Sequence, residues 1–419
     1  MKILVVHPAQ QHSYRLASAL AEEGLLYKYI TTVYYKQGSL TALAAHLLPG
    51  RYKAKARQRR CDELSDEQIQ QLCELEGLLK LLTMNVPALR PFYRNVKYRT
   101  SDHFAKKAAE YAIKEGADAV VGYDDYSSLM FEILAHRAPN ILRILDVSAA
   151  NTIYMRQIYE RDMELQPEFA ARLRRERKII WDPATIERTK KELKYSQLFI
   201  SPSDFVSKSL VYSGISSNRI MLCPYGVDTG LFAAKEYPTV AELCSRPLRF
   251  IYVGGVKELK GISYLLQAFD KIPENKAALT IVGQVNKTDE DILPYIQRVT
   301  FTGSVLHSKI PELLHDADVY IFPSLGEGMS LSILEAAACG LPLIVSENSG
   351  MSGLMTKGIE GFTIPIQSVD AIVDKINWFS ENRNKIEAMG KAAREFALKY
   401  SWERYARNIS EIFDRIKNG

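Results

Sequence analysis

Cysteine is sparse: five residues in 419 (Cys61, Cys73, Cys223, Cys244, Cys339), none spaced C-x-x-C. An odd, scattered set argues against a disulfide framework or a zinc knuckle and points to a reducing compartment. Long apolar runs are lacking too; none approaches the roughly 18 residues that a membrane span needs. The opening Met1-Lys2-Ile3-Leu4-Val5-Val6 breaks at His7-Pro8. That is too short for the hydrophobic region of a signal peptide, so it is expected to be a strand and the protein cytoplasmic. Charge of one sign is not in excess. The net charge of +5 suits an acidic substrate or a membrane surface, and without a motif it does not argue for nucleic acid. Short-period repeats and low-complexity segments are missing as well.

What is present reads as two α/β domains of about 200 residues each. Ile3 to Val6 forms a buried strand, His7 to Ser13 a polar loop, and Tyr14 to Glu23 a helix closed by Gly24, the opening unit of a doubly wound domain. Further strands are expected at Tyr27–Thr31, Ala119–Gly122, Asn140–Leu145 and Gln197–Ile200. Between Ser39 and Ile113 the pattern is almost continuous helix, a helical insertion. A second βα series follows Pro224-Tyr225-Gly226, with strands at Leu248–Val253, Ala278–Val282, Val299–Phe301, Val319–Phe322 and Leu343–Val345. Two such domains leave a cleft, with ligands expected at the carboxyl ends of the strands.

The stretch from Tyr320 to Pro342 carries the most chemistry. A buried strand ends at Ser324, a loop with Gly326 and Gly328 follows, and a helix starts near Ser330. Free N–H groups and the dipole at a helix start attract anions, and glycine allows a bulky anion close to the backbone. Glu327 and Glu335 would repel phosphates, so they are expected to face sugar hydroxyls. This E-x7-E pair, between Pro323-Ser324 and Gly340-Leu341-Pro342, resembles the signature of glycosyltransferase family 4, a retaining group with the GT-B fold. The resemblance implies that Glu335 holds the ribose of a nucleotide-sugar donor and that Glu327 contacts the transferred sugar. It places the amides of Gly328, Met329 and Ser330, with Leu331 beside them, along the diphosphate and sugar. Val253-Gly254-Gly255, then Lys260-Gly261, is similar to the family's Val-Gly-Arg and later Lys-Gly. Lys260 matches the diphosphate-binding lysine, whereas Gly255 stands where the family has arginine. Losing such a charge-assisted contact costs roughly 1.5–3 kcal/mol unless it is replaced, and Lys257 is the nearest substitute.

The resemblance extends to Leu222-Cys223-Pro224-Tyr225-Gly226-Val227-Asp228. It also covers the strand around Thr300, whose backbone would read the base, the segment His315 to Tyr320, and Ser401-Trp402 with the helix after it. It is strong from about Ser201 onward. It implies an acceptor-side Rossmann-like domain at 1–235 with the insertion at about 39–113, a donor domain at 236–395, and a helix at 396–419 crossing back. The first domain departs more widely. Asp146 stands where family members often have a histidine, and His12, Asp124 and Asp146 are carried as acceptor-side candidates. The implied reaction is hexosyl transfer from a UDP- or GDP-linked sugar to a glycan, lipid-linked or small acceptor, in cell-surface polysaccharide or glycoconjugate synthesis. Lys260, Glu327 and Asp146 are the expected catalytic groups. No cofactor and no metal are expected, because Asp124-Asp125 lacks a third carboxylate. The basic run Arg51–Arg60 suits an anionic bilayer or a lipid-diphosphate acceptor, and Arg172–Lys178 is a shorter run of the same kind. Its plain alternative is a solvated helix face. Two other readings remain: a phosphorylase or epimerase on the same architecture, and a silent GT-B subunit that binds glycan or a partner enzyme.

Overall fold

The computed structural model describes residues 1–9, 12–47 and 50–418, without the side chains of Leu47, Arg51 and Tyr52. The Arg51 end of the basic run therefore lies outside the described side chains. Two parallel sheets organise the chain. The first has seven strands in the order β3-β2-β1-β4-β5-β6-β7: β1 Ile3–Val6, β2 Leu26–Thr31, β3 Ile69–Gln71, β4 Ala119–Tyr123, β5 Leu142–Asp146, β6 Leu198–Ser201 and β7 Ile220–Leu222. The second has six in the order β10-β9-β8-β11-β12-β13: β8 Leu248–Val253, β9 Ala277–Val282, β10 Thr300–Gly303, β11 Val319–Phe322, β12 Leu343–Ser346 and β13 Gly361–Ile364.

Helices cover both faces of each sheet, which is why β1, β4, β11 and β12 are buried at every position and read as unbroken apolar runs. In each sheet the strand order reverses once, between β1 and β4 and between β8 and β11. Loops diverge at such a switch point and leave a crevice beyond the carboxyl ends. His12, Asp124 and Asp146 follow or end strands around the first crevice. Gly254, Lys260 and Glu327 follow β8 and β11 at the second.

The helical insertion needs correcting. It holds helices at Leu40–Leu47, Gly50–Arg57, Glu74–Asn85 and Tyr93–Glu115, but it also feeds β3 into the sheet edge beside β2. Ser65 and Gln68 form a reciprocal cap just before β3. At three residues, Ile-Gln-Gln, it is too short and too polar to show an apolar pattern. The edge strands β7 and β13 are likewise additions to the strands expected from sequence.

The terminal helix Trp402–Asn418 packs on the helix Ser13–Glu22 of the first domain, with the Arg15 guanidinium 4.6 Å over the Trp402 ring. Gly226 lets that crossing approach the linker: a Cβ there would lie 2.4 Å from the Trp402 nitrogen. Gly261 does the same for the second crevice. Its φ is +71°, and an added Cβ would meet the Pro323 carbonyl oxygen at 2.0 Å. Gly261→Ala is expected to destabilise the fold by at least about 2 kcal/mol, through backbone strain and overpacking together. A urea midpoint equal to that of the wild type would refute this account of the β8–β11 junction.

Candidate active site

Lys260 ends a short 3-10 turn, Glu258–Lys260, and Glu327 lies in the loop after β11. Backbone lacing brings them together. The Leu259 carbonyl accepts the Ser324 hydroxyl (3.1 Å) and the Leu325 N–H (3.2 Å). Lys260 Nζ then donates to Glu327 Oε1, which also accepts the Ser324 hydroxyl at 2.9 Å. Both side chains are partly exposed, at 22% and 15%, so the pair faces the crevice with water access. Lys260 also stands 5.5 Å over the Phe322 ring.

The loop after β12, which sequence reasoning passed over, supports this arrangement from below. Asn348 donates to the Leu325 carbonyl (2.9 Å) and its own carbonyl accepts the Glu327 N–H (2.9 Å). Ser346 donates to the Ser324 carbonyl at 2.6 Å. The signal was the run Ser346-Glu347-Asn348-Ser349-Gly350 directly after an apolar strand.

The helix that carries Glu335 runs Leu331–Ala338, with Ser330 at its cap and no side-chain bond closing its first amides. Glu335 pairs with His307, Nε2 to Oε1 at 2.8 Å. Burial holds its carboxyl above the ordinary glutamate range, and His307 opposes that shift. Tyr320 donates to Ser332 (2.7 Å) beneath the same helix start.

Gly254 and Gly255 follow β8. The Tyr252 hydroxyl donates to the Gly255 carbonyl at 3.0 Å. A Cβ on Gly255 would touch nothing nearer than the Lys257 side chain at 3.4 Å, so Lys257 lies where a larger residue at 255 would extend. Thr300 is placed differently from expectation. It pairs with Thr280, which is level with Ile251 in mid-strand, three residues short of Gly254. Gly303, at the carboxyl end of β10, accepts the Gly283 N–H beside Gly254. A strand found by its apolar run has ends uncertain by a few residues, and this one begins later than the pattern suggests.

The first domain meets this loop directly. A Cβ on Gly328 would lie 1.8 Å from the Ser148 carbonyl oxygen, and Ser203 donates to the Gly328 carbonyl at 2.5 Å. Met329 Sδ accepts the Tyr225 N–H (3.1 Å), and the Tyr225 ring packs 5.3 Å from His12. His12 Nε2 stands 3.5 Å from Asp146 Oδ2, and Asp146 is 1% exposed. Asp124 accepts the N–H (3.1 Å) and hydroxyl (2.9 Å) of Ser148, the residue against Gly328. The structure thus joins His12, Asp124 and Asp146 into one cluster, linked through Ser148 and Tyr225 to the Gly328–Met329 loop. Asp124 titrates at about 6, raised by burial and by Asp125 against the Ser148 bonds and His12.

The basic run Arg172–Lys178 is corrected at its first residue. Arg172 is 7% exposed and pairs with Asp289 and Asp291 of the second domain (2.8 and 2.5 Å), so it is not a membrane-facing group. Among the described residues, the His, Cys and acidic atoms close enough together to hold a metal belong to Cys73, Glu76 and His103 in the helical insertion. Asp124-Asp125 is not part of such a group.

Burial pulls the His12 pKa down, but the Asp146 carboxylate, with Asp124, outweighs it and leaves the value above 6.5. A raised histidine stabilises the fold below its unfolded pKa, and the contribution is lost as pH rises through the folded value. Between pH 6.5 and 8 the wild type should therefore lose melting temperature relative to His12→Asn. Parallel melting profiles for the two proteins would show that the pair carries no such linkage.

Residues 236–396 match the family described as Glycosyl transferases group 1. Over 217 residues the chain is 28% identical to the sulfoquinovosyl transferase of Arabidopsis thaliana, covering 49% of this chain and 42% of that protein. It is 32% identical over 193 residues to the Escherichia coli UDP-Gal:alpha-D-GlcNAc-diphosphoundecaprenol alpha-1,3-galactosyltransferase, covering 40% and 49%. The matched region thus spans less than half the length of these relatives. Among solved structures, sucrose-phosphate synthase from Thermosynechococcus elongatus superposes with a TM-score of 0.69 at 19% identity, covering 100% of this chain and 99% of that one. Anabaena HepE in complex with UDP superposes with a TM-score of 0.63 at 15% identity, covering 99% and 100%. The fold is therefore GT-B, and the stretch that matches the group 1 glycosyl transferases, residues 236–396, holds Lys260, Glu327 and Glu335.

Proposed function

We propose that this chain is a retaining glycosyltransferase that moves a hexose-type sugar from a nucleoside-diphosphate donor to a glycan or lipid-linked acceptor. The observation that carries the reading is the meeting of Lys260 and Glu327 at the switch point of the second sheet, inside the matched domain. When the anomeric C–O bond to phosphate breaks, charge builds on both fragments. Lys260, the amides of Gly328 to Ser330 and the start of the Leu331–Ala338 helix stabilise the leaving diphosphate, and such preorganised electrostatics is usually the largest catalytic contribution. The sugar centre takes oxocarbenium character. The acceptor oxygen bonds to it from the leaving-group face, and its proton passes to a phosphate oxygen of the departing diphosphate. Glu327 positions both Lys260 and the sugar, while the His12–Asp146 pair and Asp124 line the acceptor side. Helix amides and lysine supply the electrostatics, so the reading needs no metal. The UDP and UDP-Gal in the names of similar proteins favour a UDP-linked donor.

A thermal-shift panel of UDP, GDP, ADP and their sugars tests this. One nucleotide at 100 times its dissociation constant should stabilise the protein by about 2.7 kcal/mol. Lys260→Ala should abolish that shift, and Glu327→Ala should abolish transfer or donor hydrolysis. Absence of any nucleotide shift in the wild type would favour the silent-subunit reading instead.

The helical insertion supports peripheral membrane contact. Leu75, Leu79 and Leu82 of the Glu74–Asn85 helix are 69%, 47% and 49% exposed, and Leu43 of the adjoining Leu40–Leu47 helix is 64% exposed. The next helix, Gly50–Arg57, carries exposed Lys55 and Arg57. Exposed leucines beside basic side chains match an anionic bilayer surface. Part of the run is otherwise engaged, since Arg60 pairs with Asp62 and Asp66. No helix among the described residues is long and apolar enough to cross a membrane. The chain should co-sediment with vesicles containing phosphatidylserine and not with neutral vesicles, and Leu79→Asp should release it. Equal sedimentation with both vesicle types would remove the electrostatic part of the argument.

A further inference from the structure

The helix Pro167–Glu176 of the first domain ends against the loop that carries Lys260. Glu176 accepts the N–H groups of Glu258 and Leu259, each at 3.1 Å. One turn earlier, Arg172 donates to Asp289, Asp291 and the Val256 carbonyl. These contacts pin the end of the helix to residues 256–259. The next residue, Arg177, holds its guanidinium 5.7 Å from the centre of the Tyr159 ring, and its Nε is buried with no hydrogen-bond partner among the described residues. The Tyr159 hydroxyl, pushed up to about 12 chiefly by burial, feels Arg177 as an opposing charge and Glu327 and Glu176 as reinforcing ones. The charges of Arg177, from the first domain, and Glu327, from the second, thus act on the same tyrosine.

The charge balance around Lys260 gives this placement a use. Lys260 is already paired with Glu327, so it meets a diphosphate with part of its charge offset. Position 255 supplies no charge, and Lys257 is exposed. A guanidinium is always charged and presents a planar fork that matches phosphate oxygens. We propose that Arg177 supplies the guanidinium of the donor phosphate site, binding the diphosphate from the first-domain side opposite Lys260. The donor then bridges the domains, and its binding favours their closed arrangement. This rests on the donor-site reading above.

The test uses the full chain and titrates the nucleoside diphosphate found in the panel, the matching nucleoside, and a phosphorylated acceptor analogue such as glucose 6-phosphate. Arg177→Ala should weaken diphosphate binding by about tenfold or more while nucleoside binding stays within about twofold. Arg177→Lys should restore part of the loss, and Lys257→Ala should have a smaller effect. The proposal is overturned if Arg177→Ala binds diphosphate like the wild type, if nucleoside and diphosphate weaken equally through loss of the helix dock, or if only glucose 6-phosphate binding is lost. Failure of the donor-site reading looks different: the wild type itself then binds no nucleotide. A melting curve on Arg177→Lys keeps the comparison interpretable where Arg177→Ala fails to fold.

Discussion

The loop Gly326-Glu327-Gly328 passes so close to the first domain that side chains at its two glycines would collide with it. At Gly326 a Cβ would sit 2.4 Å from Met155 Cε, and at Gly328 it would sit 1.8 Å from the Ser148 carbonyl oxygen. The site depends on this close approach. With the loop held there, Ser203 bonds the Gly328 carbonyl, Tyr225 reaches Met329, and the cluster of His12, Asp124 and Asp146 comes within one side chain of the Gly328–Met329 loop. Were the loop a few ångströms further out, the two halves would no longer meet at these residues. For the proposed transfer, closure of this kind would also exclude water that competes with the acceptor.

Charge in the interior is managed by pairing across elements rather than along them. Glu192 is buried with its carboxyl well above the usual range, chiefly through desolvation, yet it accepts the N–H groups of Asp125, Ser127 and Ser128 and so caps the helix Ser128–Arg137. Glu258 caps the helix Ile262–Asp270 through Ser263, and desolvation with the nearby Asp162 raises its pKa strongly. These acids are structural: they satisfy helix amides that burial would otherwise leave unpaired. The partly exposed pair Lys260–Glu327 is a different case. Its groups are near enough to water to exchange partners when a ligand arrives, which the caps cannot do without unwinding a helix.

Much of the architecture was legible because a parallel sheet covered on both faces leaves apolar runs that need no partner to be recognised. β8 and β11 fall where their runs predict, and the loop–helix unit with Glu327 and Glu335 was visible from its glycines and spacing. Edge strands were not. β3, β7 and β13 have three or four residues each, and β3 carries two glutamines, so pairing with a neighbour defines them rather than their own pattern. Thr300 was assigned to the crevice because the limits of its strand are blurred in sequence, while in the structure it is the first residue of β10, level with Thr280 inside β9.

The sequence by itself determined the two-domain α/β class, the strand ends that bear glycine and acid, and the chemical types available at the second crevice. Those follow from local rules: burial selects apolar residues, tight backbone approach selects glycine, and anions are met by lysine and helix starts. Only the tertiary structure decided who meets whom. Glu335 faces His307, Lys260 faces Glu327, and Arg172 crosses between domains to Asp289 and Asp291. The reason is that a charged side chain looks the same in sequence whether it is solvated or paired. Its partner lies 28 residues away in the first case, 67 in the second and well over 100 in the third, and only packing brings them within reach.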